Sequence, residues 1–134
     1  MREVLLDTDI LSYYFRGELH VVAKFEEYLE HFGTINFSNI TYYELVSGLK
    51  FKNAVKQLQL LEAFAKECTI LPLTLKSIDI SADLYAKLRK AGTSVDDIDL
   101  LIAGIALSNN MALATNNSKH FSKIQELEIV NWSK

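Results

Sequence analysis

At 134 residues the chain has the size of one domain, which leaves no room for separate cofactor and substrate halves. With 49% apolar and 23% charged residues and a mean hydropathy of +0.09, its composition is that of an ordinary globular protein, which excludes a disordered or fibrous chain. A formal net charge of −3 rules out wholesale electrostatic attraction to nucleic acid, but leaves room for an enzyme that meets phosphates through bound cations. The single cysteine, Cys68, cannot form an internal disulfide, and the segment Met1 to Asp7 reaches an acid too early for a signal peptide. The longest apolar run, Leu100 to Leu107, is far short of a membrane span, so a cytoplasmic protein with no membrane partner is expected.

In chain order, Val4-Leu5-Leu6 is a short apolar run ending at Asp7, as in a buried strand, and a helix is expected from about Ile10. Val22, Phe25, Leu29 and Phe32 share one helical face. Thr34 to Phe37 is the second strand and Ile40 to Leu49 the next helix. Val55, Leu58, Leu61 and Ala65 mark another helix, followed by a strand over Thr69 to Leu73. Leu75, Ile78, Ala82, Tyr85 and Leu88 repeat the helical spacing. Leu100 to Leu107 is apolar all round, which suits a central helix enclosed by neighbours, and Gly104 would let another backbone come close. Ala112 to Thr115 and Leu127 to Val130 complete five strands. Strands joined through helices must cross over, so the alternation predicts an α/β, three-layer single domain over residues 1–134, with a mostly parallel five-stranded sheet between helices. Phe25, Phe32, Phe64 and Trp132 are assigned to its core.

Chemistry is concentrated in the acids. Asp7 directly follows a strand expected at the centre of the sheet, where parallel α/β sheets bind ligands, and capping of the following helix is assigned to Asp9. Glu44 has capping-box spacing from Thr41; if Ser38 or Asn39 is the cap, Glu44 falls in the second turn and capping fails, and the local pattern leaves both open. Asp96, Asp97 and Asp99 precede the apolar helix, where Ser94 and Asp97 also have capping-box spacing and first-turn acids complement the helix dipole. Asp99 adjoins the most hydrophobic stretch, where a carboxylate is costly unless neutralised. Two like charges about 4 Å apart cost on the order of 4 kcal/mol at an effective dielectric near 20, so convergence of Asp7, Glu44 and Asp99 would call for a cation. All-oxygen donors suit Mg²⁺ or Mn²⁺, and no cysteine–histidine spacing suits zinc. His20, His31 and His120 are scattered and are assigned to the surface.

On these residues the chain resembles PIN-domain proteins, and more narrowly the VapC-type ribonuclease toxins of toxin–antitoxin pairs. The matching segments are Leu5-Leu-Asp-Thr-Asp-Ile-Leu11, Tyr43-Glu-Leu-Val-Ser-Gly48, Asp99-Leu-Leu-Ile-Ala-Gly-Ile-Ala106, Ala114-Thr-Asn-Asn-Ser-Lys-His-Phe121 and Leu127-Glu-Ile-Val-Asn-Trp132, in order over nearly the whole chain. The resemblance implies a Mg²⁺- or Mn²⁺-dependent endoribonuclease with Asp7, Glu44 and Asp99 as its acidic site. It also implies a homodimer and a cognate antitoxin whose tail covers the active-site groove. A further family acid near the end of the fourth strand is replaced here by Asn116-Asn117.

Beside the resemblance, a cation held by Asp7 and Asp99 would activate water and offset phosphate charge, with Glu44 orienting that water or completing the metal shell. Thr8, Asp96, Thr115 and Asn117 are supporting candidates. Lys50, Lys52, Lys56, Arg89, Lys90, Lys119 and Lys123 are candidates for docking RNA, whose flexible loops fit a groove better than duplex DNA does. Two alternatives compete. Asp7-Thr-Asp9 also resembles the strand-end motif of haloacid-dehalogenase-like phosphatases, with Asp7 as nucleophile, and Asn117 in place of an acid would fit a catalytically inactive PIN-like binding module.

Overall fold

A computed structural model describes all 134 residues, Met1–Lys134. Five short strands, β1 (Val4–Leu6), β2 (Asn36–Ser38), β3 (Thr69–Leu71), β4 (Ala112–Ala114) and β5 (Ile129–Val130), form one sheet in the order β3-β2-β1-β4-β5. Every neighbouring pair is parallel, with Leu6 beside both Phe37 and Ala114. The helices are α1 (Thr8–Phe15), α2 (Leu19–Phe32), α3 (Asn39–Phe51), α4 (Val55–Lys66), α5 (Leu75–Lys90), α6 (Asp97–Ser108) and α7 (Ser118–Phe121). None is long and apolar enough to cross a membrane. The one-turn α7 was not anticipated from the sequence, because four residues carry no readable period.

Strand alternation divides the interior into two cores. Leu5 and Leu113 face α5 and α6, packing with Leu84, Leu100, Ile102 and Ile105. Val4, Leu6, Ala112 and Ala114 face the other way, against Ile10, Val21, Phe25 and Tyr28. Phe25 and Trp132 are buried as expected, whereas Phe32 and Phe64 pack at the edge of this second core. Both faces of the sheet are thereby covered, which is why the central strands β1 and β4 are apolar throughout.

Two caps differ from the sequence expectation, and a third decides between alternatives it left open. Helix α1 begins at Thr8, because Asp7 takes the extended conformation of an N-cap and its carboxylate accepts from the Thr8 N–H. Asp9, the expected cap, lies inside the first turn. Asp96 caps α6 by accepting from the Ile98 N–H, so Ser94 does not. On α3 the cap is Ser38, which accepts from Thr41, and this releases Glu44 from any capping duty.

Gly104 is where α5 and α6 meet. The Ser81 hydroxyl sits 2.8 Å from the Leu100 carbonyl and 3.0 Å from the Ser77 carbonyl, filling the space above Gly104. A Cβ on residue 104 would lie 2.0 Å from Ser81 Oγ and 2.5 Å from the Ser77 carbonyl oxygen, so the helices would have to separate. Gly104→Ala is therefore expected to destabilise the fold by roughly 1–3 kcal/mol despite the better helix propensity of alanine, as read by chemical denaturation.

Candidate functional site: an acidic pocket at the sheet's carboxyl edge

The chain runs outward from β1 through β2 to β3, then returns to β4 on the other side of β1. This reversal opens a crevice beyond the carboxyl ends of β1 and β4, the usual ligand position in such sheets. Asp7 follows β1 directly and is tied there by its N–H to the Ala114 carbonyl at 2.9 Å. Thr115 and Asn117 follow β4, Glu44 projects from α3, and Asp99 lies in the first turn of α6. Asp7, Thr8, Asp9, Glu44, Asp99, Asn116 and Asn117 line one open pocket of about 490 Å³, with no apolar side chain in its wall.

Asp7 is only 7% exposed. One carboxylate oxygen accepts from the Thr8 N–H at 2.9 Å, and the other accepts from the Thr115 hydroxyl at 2.8 Å. Burial, reinforced by the neighbouring charge of Asp9 and more weakly by Asp99, pushes its pKa up to about 7 against those two hydrogen bonds. Burial also raises Asp9, whose oxygens accept from the Ile10 and Asn116 N–H groups at 2.7 and 2.9 Å. Asp99 is raised by burial as well, with Asp96 and Glu44 adding to it and contact with His120 opposing it. At the pocket mouth the Thr8 hydroxyl donates to Glu44 Oε1 at 2.6 Å and lies 3.1 Å from the Thr41 hydroxyl.

The fold thus brings Asp7, Glu44 and Asp99 into one pocket, together with Thr8 and Asn117 from the supporting set. Thr115 is fully buried beneath it, holding Asp7 and accepting from the Asn117 N–H at 2.9 Å. Asp96 is outside, committed to its helix cap. One residue differs from its sequence assignment, and another, assigned correctly to the surface, makes a contact the sequence does not show. Asp9 lines the pocket, and its Asp-x-Asp spacing was the available signal. His120 does stand on the surface, but its Nδ1 is 3.3 Å from Asp99 Oδ2 and 3.0 Å from Asn117 Nδ2. No spacing in the chain announces that contact, because α7 must first fold against the end of β4.

No three His, Cys, Asp or Glu side chains are gathered closely enough to hold a metal ion in this arrangement; the carboxylates share a pocket and do not form a closed cage. Their mutual repulsion and their separate hydrogen bonds to Thr8, Thr115, Asn116 and His120 account for that spread. The donor chemistry still fits a hard divalent cation: the wall is all oxygen and amide, Asp7, Asp9 and Asp99 are held above their ordinary pKa, and neither lysine nor arginine reaches the acids. The same lack of a lysine leaves the phosphatase reading without the cation it needs beside Asp7.

The model of the PIN domain matches residues 4–127, and this chain belongs to that family. It is 31% identical to the ribonuclease VapC1 of Methanocaldococcus jannaschii over 98% of this chain and 88% of the relative. It is 26% identical to the tRNA(fMet)-specific endonuclease VapC of Shigella flexneri over 99% and 100% of the two chains. Among solved structures it resembles a chain of VapBC2 from Rickettsia felis bound to a DNA fragment from their promoter, with a TM-score of 0.84, 29% identity and coverage of 96% and 98%.

The raised Asp7 pKa fixes a sign. Between pH 4 and 7 the unfolded chain surrenders this proton before the folded one does, so metal-free stability declines as pH rises and levels off above about 7. In chelator, the melting temperature should fall from pH 5 to pH 8, and Asp7→Asn should flatten that fall, since asparagine caps a helix as well as aspartate does. A divalent cation should raise the melting temperature more at pH 8 than at pH 5.

Proposed function

We propose that this chain is a divalent-metal-dependent endoribonuclease, the toxin component of a toxin–antitoxin pair, acting through Asp7, Glu44 and Asp99. The observation that carries the reading is the pocket itself: four carboxylates gathered at the sheet's switch point, Asp7, Asp9 and Asp99 among them raised in pKa by burial, and none opposed by lysine or arginine. The names of the relatives, ribonuclease and tRNA-specific endonuclease, support the reaction class, and the VapBC complex supports an antitoxin partner.

Asp7 and Asp99 would hold the cation, with Asp9 contributing charge from behind its backbone hydrogen bonds. When bound, a divalent ion supplies charge neutralisation for the phosphodiester and makes hydroxide accessible from water near neutral pH. Thr115 keeps Asp7 in place by donating to Oδ2, which leaves each Asp7 oxygen a free lone pair toward the pocket. Glu44 is fixed through Oε1 by Thr8, so its Oε2 faces solvent ready to take the proton of the attacking water. Asn117 presents an amide where the resemblance expects another acid, lowering the negative charge that an incoming phosphate must face.

A second groove continues from the first, sharing Thr8 and Glu44 and running between α1, α3 and α4 past Phe15, Arg16, Leu45 and Lys52. Arg16 and Lys52 are the only cations lining either depression. Of the lysines proposed from sequence, Lys52 alone is placed here; Lys123 instead donates to the Ser94 carbonyl. Single-stranded RNA suits this path, since its bases can splay onto apolar walls while its phosphates meet the two cations.

Asp7→Asn should lower metal-dependent cleavage of total RNA by more than about 100-fold while leaving the far-UV spectrum and melting transition intact. Retained cleavage by a clean preparation would overturn the assignment, and a wild-type protein that binds RNA but never cuts it would favour the inactive module. Replacing Arg16 and Lys52 together by alanine should raise KM with little change in kcat, and flatten the slope of log KM against log salt by about 1.4.

A further inference from the structure

His120 is the one basic side chain in contact with a pocket carboxylate. It is carried by α7, whose next residue, Phe121, is fully buried and anchors the turn against α6. The imidazole therefore stands at the rim on a fixed support, 56% exposed, while the Asp99 side chain beside it is 17% exposed. Nδ1 faces both Asp99 Oδ2 at 3.3 Å and the Asn117 amide nitrogen at 3.0 Å. Nδ1 carries either a lone pair or a proton, so it cannot accept from the Asn117 amide and donate to Asp99 at once; the tautomer decides which of the two contacts is the hydrogen bond. The separation of 3.3 Å is long for a charge-assisted N–H to carboxylate bond, which closes to about 2.7–2.9 Å. It is close to the roughly 3 Å between neighbouring donors around an octahedral cation with bonds near 2.1 Å.

We infer that Nδ1 of His120 and Oδ2 of Asp99 form one edge of the cation site, so that the chain takes a nitrogen donor where the rest of the wall offers oxygen. This rests on the reading of the pocket as a divalent-cation site. A mixed edge selects among cations. Mg²⁺ holds to hard oxygen donors and near-ideal octahedral geometry, whereas Mn²⁺ accepts imidazole beside carboxylates. The site accordingly prefers Mn²⁺ to Mg²⁺, and His120 is the cause of that preference.

The test uses the purified full-length chain, titrated calorimetrically with MnCl₂ and separately with MgCl₂, with His120→Ala, His120→Asp and Asp99→Asn alongside. Wild type should bind Mn²⁺ about tenfold or more tightly than Mg²⁺. His120→Ala should bring the two affinities within a few-fold of each other, and His120→Asp should raise Mg²⁺ affinity. Pulsed electron paramagnetic resonance of bound Mn²⁺ should show coupling to an imidazole ¹⁴N in wild type that vanishes in His120→Ala. Mn²⁺ binding without that coupling would overturn the inference, even if His120→Ala weakened both cations, because His120 would then only orient Asp99; the metal reading would survive. Failure of wild type to bind either cation, or titrations untouched by Asp99→Asn, would bring down the metal reading itself. Since His120 is exposed, a melting curve suffices to verify that its variants fold.

Discussion

Everything at the functional edge depends on one buried carboxylate. Asp7 lies between the ends of β1 and β4, where removing its charge from water costs more than two hydrogen bonds restore. The same side chain begins α1, so truncating it, as in Asp7→Ala, would also weaken a helix start. A residue under both demands ties the architecture to the chemistry: the geometry that starts the first helix also aims an acid into the crevice. The remaining members are placed relative to it, Thr115 by direct contact, Asp9 two residues along the same turn, and Asp99 and Glu44 by helices packed on opposite faces of the sheet.

The sequence displays the scaffold clearly because the scaffold is apolar and periodic. Leu5 and Leu6 read as a buried strand, Leu100 to Leu107 as an enclosed helix, and Gly104 as a close approach, since each follows from side-chain volume and hydrophobicity alone. Strand ends were less distinct: β3 stops at Leu71 and β5 begins at Ile129, because an edge strand keeps only the residues its single neighbour can pair. At the site, Asp7 and Asp99 stand out as charges beside apolar runs, whereas Glu44 is open to capping on local pattern and is singled out by the family resemblance. Asp9 and His120 do not stand out, and for different reasons. Asp9 looked like a cap because a cap and a pocket acid occupy the same stretch of chain, and only the neighbouring Asp7, taking that duty, releases it. His120 owes its place to a four-residue turn and to an asparagine three residues earlier, a contact that exists only in three dimensions.

The acidic wall also explains how a protein of net negative charge can address a polyanion. Repulsion is confined to a small pocket, while the adjoining groove offers Arg16 and Lys52 over an apolar floor. Arg16 is steadied by Glu18 at 3.4 Å and by the Tyr13 ring, 5.0 Å from its guanidinium carbon, so its charge is presented and not freely swung. Attraction is local, whatever the sum of charges over the whole molecule.

Asn116 ties both ends of the chain to the site. Its N–H holds Asp9, its amide donates to the Tyr13 hydroxyl, and its carbonyl oxygen accepts from Asn131 and Ser133. Residues near 10 are thus fastened to the pocket by residues beyond 130. The carboxyl-terminal residues thereby act as a strut for the Asn116 turn, so a disturbance at Asn131 or Ser133 reaches Asp9 through one asparagine without any direct contact with the pocket.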